Sequence, residues 1–442
     1  MAKNEQLDLA RWATDRAVKA GALEARVSVS RTHSTSVEYR DRKVETLEES
    51  TESGLGLALY AEGRYSSHRT SDLRKDAIES FIGEAVAMTR HLTEDPHRGL
   101  PDPELYTGRS EIDLGLSDPD YGSTTPESRH RLAQTVEGAA LELGGKKIIS
   151  ITAGASEYRY EAAMVTSNGF EGVEERTNFW AGAEATAKDA GDKRPAEWWY
   201  EGRRQRGRLG DPADIGRRAV TRALERVGSD KIKTAELPMV VENRAMGRLL
   251  RFLGSALDGS SLQQKRSFLE GYLDKPIASE HLTLIDDPLV YQGQGSRLFD
   301  EEGITARRLP IIEGGVLRNF YIDTYYGRKL DMAPTTGGLS NLVVESDAIK
   351  RVQDWMSDLD RGILVTGFLG GNSNSATGDF STGIQGFLFE KGRIVRPVSE
   401  MNIAGNHLEF WNKLLGIGDD PYEFSSLRTP SFVFDATVIA GA

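Results

Sequence analysis

Apolar residues recur along this chain with two periods, and the switches between them outline its elements. Residues 5–20 carry a helical pattern closed by Gly21, and "ARVSVSR" beyond it alternates as a half-buried strand does. "GLGLALYAEGRYSSHRT" predicts a hairpin turning at Ala61–Arg64. Ser71 stands where a helix cap is wanted, and Leu73, Ala77, Phe81 and Ala85 follow at i, i+4 spacing. Residues 92–125 break every period with proline, aspartate and glycine, and read as a loop or linker. "PESRHRLAQTVEGAALELGG" restores a helix, with Pro126 in its first turn. Strand-like segments run from Lys147 to about Thr186, and a second linker, "DAGDKRPAEWWYEGRRQRGRLGDPAD", leads into the helix "IGRRAVTRALERVGS".

From Thr234 onward the pattern is mostly β, with hairpin-like turns recurring as "AEGR", "IEGG" and "EKGR" along the chain. One helix interrupts it. In "NRAMGRLLRFLGSALDG", Met246, Leu249, Leu250, Leu253 and Leu257 fall on one stripe between a cap at Asn243 and a closing Gly259. Arg248, Arg251 and Ser255 lie outside that stripe. Taken by itself this helix packs and does no chemistry. The division that follows is an α+β subdomain over 1–91, a middle α+β subdomain over 92–230 and a β-rich unit over 231–442. The fold class is α+β: an N-terminal antiparallel sheet with packed helices, then a largely antiparallel, twisted β domain with a few helices.

Composition narrows the chemistry. A chain of 442 residues supports two or three cores, and 46 glycines suit many tight turns. With no cysteine, thiol catalysis, disulfides and thiolate metal sites are all excluded. A net charge of -12 disfavours nucleic acid and anionic membranes as partners. The first 21 residues have no signal-peptide core, and no window reaches the ~20 apolar residues of a membrane span. A cytoplasmic protein is expected.

No candidate motif stands on its own. "VTGFLGGNSNSATGDFSTGIQGFLFEKGR" is glycine-rich but lacks the Lys-Ser/Thr of a phosphate loop, so its glycines serve turns, bulges or a peptide-lining segment. "RRQRGR" beside "EWWY" resembles a stacking surface for single strands, yet it is one cluster in an acidic chain and reads as solvated linker or docking surface. None of the seven histidines makes a two-ligand spacing. Asp286, Asp287, Asp300, Glu301 and Glu302 look like strand endings where acids cap and solubilise. There is no G-x-S-x-G elbow, and Ser373, Ser375 and Ser381 fall in a polar loop.

Longer segments carry a resemblance. "TLIDDP", "GQGSRLFDEEGITARRLPIIEGGVLRNFYIDTYYGRKL", "TGDFSTGIQGFLFEKGRIVRPVSEMNIAGN" and the closing "PSFVFDATVIAGA" resemble, in order, the TldD/TldE (PmbA-type) peptidase family over the C-terminal half. The N-terminal order of helix, strand, hairpin and helix agrees. The resemblance implies that a TldD-type subunit carries an HExxxH helix, with a zinc completed by a cysteine near the C-terminus. Two histidines at i and i+5 lie roughly 140° apart on a straight helix, and the glutamate would act as base on zinc-bound water.

Laid on that helix, this chain has Leu250, Arg251 and Ser255 at the motif positions. Leucine cannot ligate and arginine cannot serve as a neutral base. The resemblance therefore implies a non-catalytic TldE/PmbA-type subunit, with no cofactor of its own and zinc in a TldD-type partner. It implies a heterodimer enclosing a chamber for unfolded or small peptides. A peptide bound there as an added strand would be held by backbone hydrogen bonds, with residues 365–390, and Gly370, Gly371 and Asn372 in particular, as candidate lining. Valine at Gly370 and Gly371 is expected to impair cleavage and spare assembly. Homodimerisation of the isolated chain stays open. So do a stand-alone peptide- or protein-binding regulator and an independent hydrolase using scattered carboxylates or histidines.

Overall fold

The computed structural model describes residues 3–442; the first two residues of the segment read as lacking a signal peptide lie outside them. Helix α1 (Lys3–Lys19) buries Leu9, Ala10, Ala13 and Ala17, and the chain leaves it through Gly21, whose φ of +106° suits a residue without Cβ. Strands β1 (Glu24–Arg40), β2 (Lys43–Ala61) and β3 (Arg64–Thr70) follow, and the hairpin turns at Glu62–Gly63 as its sequence demands.

Helix α2 (Lys75–Thr89) departs from expectation in two ways. Its N-cap is Arg74, not Ser71, and no side chain caps it. Its buried face is Ile78, Ile82, Ala85 and Val86, which pack on the sheet, while Leu73 and Phe81 of the expected row are only partly buried at the edge of that cluster. The loops after α2 are a strap: the Leu100 amide donates to Glu24, Thr305 to the Leu105 carbonyl, and Gln292 to the Leu114 carbonyl.

Helix α3 (Pro126–Gly144) opens with a reciprocal cap between Thr125 and Ser128. Strands β4 (Ile148–Thr166) and β5 (Glu171–Ala187) form a long hairpin, and β6 (Ala196–Arg203) adds to its edge. The segment expected as a second linker thus contains a strand: "AEWWYEGR" pairs from Ala196 with Thr186 to Arg203 with Phe179. Alternating small residues on β5, Ala181, Ala183, Ala185 and Ala187, are fully buried and leave room for α3 and α4 (Pro212–Glu225). The two helices touch where a Cβ on Gly216 would lie 2.1 Å from the Val136 carbonyl oxygen. All six strands form one antiparallel sheet in the order β3-β2-β1-β4-β5-β6.

The rest of the chain is organised around β7 (Ala235–Val241), followed by α5 (Asn243–Gly254) and the short α6 (Gly259–Gln263). A small sheet takes β8 (Thr283–Asp286), β9 (Leu309–Glu313), β10 (Val316–Leu317) and β11 (Leu342–Glu345). A meander of β12 (Arg361–Ser373), β13 (Asp379–Glu390) and β14 (Arg393–Asn406) then pairs with β7 through β12. After β15 (Leu414–Ile417) and β16 (Leu427–Arg428), β17 (Phe432–Ala440) pairs with β7 and also touches β14 at Asn402 and Ile403. The circuit β14-β13-β12-β7-β17-β14 closes into a barrel, which leaves fewer free edges than an open sheet. The architecture is mixed helix and sheet, antiparallel in the N-terminal half and largely so in the C-terminal half, as the pattern predicts.

Candidate functional site

Strand β7 delivers the chain into α5 at the rim of the barrel. The predicted stripe is the buried one: Met246 and Leu249 are fully buried, and Leu250, Leu253 and Leu257 nearly so. Its ends differ from the sequence reading. Glu242 holds the N-cap position and Asn243 is already helical, while Ser255 closes the helix. Gly259 does not terminate α5; it begins α6, where Asp258 accepts from the Ser260 amide at 2.8 Å.

The three motif positions separate. Leu250 points into the core at 4% exposure. Arg251 is exposed, and the Ser255 hydroxyl donates back to the Phe252 carbonyl at 2.8 Å. That split follows from ~100° of rotation per residue, which sends positions five apart to different sides. A buried hydrocarbon, a guanidinium and a hydroxyl already engaged with backbone are no donor set for zinc. Among the described residues, no three His, Asp or Glu side chains gather as a metal-holding group.

Gly370 and Gly371 lie in β12 at a bulge, where the register with β13 slips between Leu369 and Asn372. Both have positive φ, +60° and +93°. Helix α5 reaches them through a residue the sequence reading only set aside. Arg248 Nη2 donates to the Gly370 and Gly371 carbonyls at 3.2 Å each, and Thr382 Oγ1 donates to the Gly370 carbonyl at 3.0 Å. The available signal was the row Arg244, Arg248 and Arg251 at i, i+4 and i+7, a basic ridge beside the apolar stripe. Asn372 is exposed, and an open groove of about 650 Å³ runs over Gly371, Asn372, Ser381 and Glu400. A Cβ on Gly371 would sit 2.6 Å from the Ser381 carbonyl oxygen and Thr382 Cα, whereas at Gly370 nothing lies within 4 Å. Valine at 371 would therefore break the bulge itself.

Ser373 and Ser381 lie in strands β12 and β13, not in a flexible loop. Ser373 Oγ is 3.0 Å from His407 Nε2, and Trp411 Nε1 donates to His407 Nδ1 at 3.1 Å. The indole fixes the tautomer: Nδ1 accepts, so Nε2 carries the proton and donates to Ser373. Burial, with Phe268 stacked at 5.4 Å, pushes the imidazole pKa down to about 4. A ring that already donates to the serine cannot take its proton, so this pair is structural.

Of the acidic cluster only Glu301 is exposed to solvent; Asp286, Asp287, Asp300 and Glu302 accept from backbone amides, as caps do. Asp286 is 2% exposed; burial raises its pKa to about 6 against the opposing hydrogen bonds of Ser340. Asp300 is buried and accepts from the Glu302 and Ile304 amides, closing its turn. The Glu302 carboxyl is raised by burial, which exceeds the lowering by the Thr324 hydrogen bonds.

The region read as a solvated linker or a docking surface is in part a structural junction, with Gly207 and Arg208 left exposed. Arg204 is 1% exposed and gives its guanidinium to the carbonyls of Gly293, Gln294 and Thr177. One strand earlier, Glu197 on β6 binds Arg244 of α5 at 2.7 Å and Arg226, just beyond α4, at 3.0 Å, with all three side chains at 4–5% exposure. Arg222 pairs with Glu242 at 2.7 Å in the same network. Burial lowers the Arg226 pKa; in Arg222 the same burial is outweighed by Glu242, and the net shift is upward. These charges fasten α5, and with it the bulge, to the N-terminal sheet.

Comparison with known proteins bears on this arrangement. Residues 25–89 match PmbA/TldA metallopeptidase domain 1, 119–227 the central domain and 234–441 the C-terminal domain of that family. The metalloprotease PmbA of Escherichia coli is 30% identical, the alignment covering 94% of this chain and 92% of the relative. A solved structure from Bacteroides thetaiotaomicron, described as a candidate modulator of DNA gyrase, is 40% identical, covers 98% of both chains and superposes with a TM-score of 0.95. TldE from Thermococcus kodakarensis shares the fold over both full chains with a TM-score of 0.86 at 22% identity. The chain belongs to the PmbA/TldA metallopeptidase family.

Proposed function

We propose that this chain is the non-catalytic, TldE/PmbA-type subunit of a heterodimeric zinc-dependent peptidase, acting on unfolded or small peptides in the cytoplasm. The zinc and its HExxxH helix belong in this reading to a TldD-type partner. The observation that carries it is Leu250: the residue in place of the first ligand is a hydrocarbon packed in the core at 4% exposure. Turning that position toward a metal would empty the core rather than repair a site. Arg251 and Ser255 remain on the outside of the helix, and in this reading an extended peptide sits in the open groove over Gly371, exposed Asn372 and Ser381, beside the bulge that Arg248 holds.

The test is affinity purification of the chain from its own host, followed by reconstitution. The expected result is a near-equimolar partner carrying HExxxH, with peptide cleavage by the pair, none by this chain alone, and loss of cleavage on chelation. A chain that purifies alone or self-paired would overturn the heterodimer. It would favour a second reading, a stand-alone regulator that binds proteins without hydrolysis, which the description of the Bacteroides relative as a candidate gyrase modulator supports.

A further inference from the structure

The "RRQRGR" segment has a surface that the peptidase reading does not use. Where β6 ends, Arg203, Arg204 and Arg208 meet the 291–294 loop and the segment bearing Glu423 and Arg428, around a cavity of about 400 Å³. Four arginines and one glutamate line it, a formal charge of +3 within a chain of net charge -12. A like-charged cluster of this kind is costly unless something offsets it.

The chain offsets little of it. Glu423 is shared, 3.1 Å from Arg203 Nη1 and 3.9 Å from Arg428 Nη2. Arg204 forms the floor and is bound to backbone carbonyls and to Tyr158; burial lowers its pKa, and no carboxylate among the described residues pairs with it. Arg208 is exposed at the rim, and its side chain makes no ion pair or hydrogen bond among the described residues. Two wall residues also hold buried donors without an acceptor, Arg203 Nε and Gln292 Nε2. Gln292 is held there on a left-handed backbone, φ +55°. The Arg203 guanidinium lies 4.5 Å over the Phe424 ring, which fixes the fork in place without consuming its donors.

We propose that this cavity is a binding site for a small oxyanion, a carboxylate or phosphoryl group, gripped by Arg203, Arg208 and Arg428. Guanidinium forks suit both groups, since each offers two or more oxygens in a plane that parallel N–H donors match. Glu423 already takes the part of such a carboxylate on one side of the bowl, and it competes with the ligand. The site is independent of the peptidase reading and stands or falls without it.

The test is calorimetric titration of the full chain at low ionic strength with inorganic phosphate, with triglycine and with triglycine amide. Binding is expected for phosphate or triglycine, weakening as salt is added. Arg208→Gln, a change at an exposed side chain, should weaken it about tenfold, the effect of one charge-assisted contact. Glu423→Gln should instead tighten it severalfold by removing the competitor and raising the local charge. Triglycine binding that is lost in the amide identifies a carboxylate ligand, and phosphate binding without triglycine identifies a phosphoryl one. Neither anion binding, or affinity indifferent to both substitutions, overturns the site.

Discussion

Glu197→Gln isolates the energetics of the junction that holds α5 in place. Glutamate and glutamine have nearly the same shape, so packing is conserved while one charge is removed. In the native network three arginines, 222, 226 and 244, face two glutamates, 197 and 242, for a local charge of +1; the substitution makes it +2. The amide oxygen can serve one guanidinium, and its NH2 must then face the other, donor against donor. Breaking a buried ion pair from one side costs about 3–5 kcal/mol, and the surviving neutral hydrogen bond returns about 1. With the three side chains at 4–5% exposure, solvent screens little of this, and the expected loss is about 2–4 kcal/mol. Urea unfolding followed by tryptophan fluorescence is the assay, since Trp198 lies 4.3 Å beneath the Arg244 guanidinium and reports on the junction directly. Adding Arg226→Met restores the charge to +1 and should recover about half of the loss through coupling. A single-variant loss below about 1 kcal/mol, or no coupling, would show that the network is solvated and that the reasoning from burial is wrong.

Two further outcomes are expected. The His407 pKa is lowered to about 4 from 6.5, so its contribution to stability is fully present above the unfolded value and is lost as pH falls through the folded one. Between pH 6.5 and 4 this amounts to at most roughly 3 kcal/mol; His407→Phe should flatten that part of the profile while costing Ser373 and Trp411 their partner, and an unchanged slope in urea titrations across the range would refute it. At the bulge, Gly370→Ala should cost about 1 kcal/mol for its left-handed backbone alone. Gly371→Ala should cost at least about 1 kcal/mol more, because its Cβ must displace the β13 backbone; equal melting temperatures for the two variants would contradict the geometry.

Much of the fold was legible locally. Period-2 alternation located β1 and the β2–β3 hairpin, and the three Gly-containing turns fell where three hairpins turn. The α5 stripe was read residue by residue, because burial of a one-sided helix needs only a core to face. Other features had no local signal. "AEWWYEGR" lay between charged, irregular segments, and only pairing with β5 makes it a strand. The Ser71 cap failed because a cap depends on where the sheet lets the helix start, and the α2 face went to the row that the sheet could bury.

What the sequence determined by itself was the periodicity of its elements, the family they assemble into, and the identity of Leu250, Arg251 and Ser255 on the motif helix. Those are matters of spacing and residue type. What only the tertiary structure decided was where charge goes. Residues of one formal type take opposite parts: Arg204 is buried among carbonyls, Arg244 is clamped by Glu197, Arg248 grips a glycine bulge, and Arg208 stands free at a basic bowl. An arginine's role is set by the dielectric and the partners that distant segments bring to it, and no spacing along the chain records either.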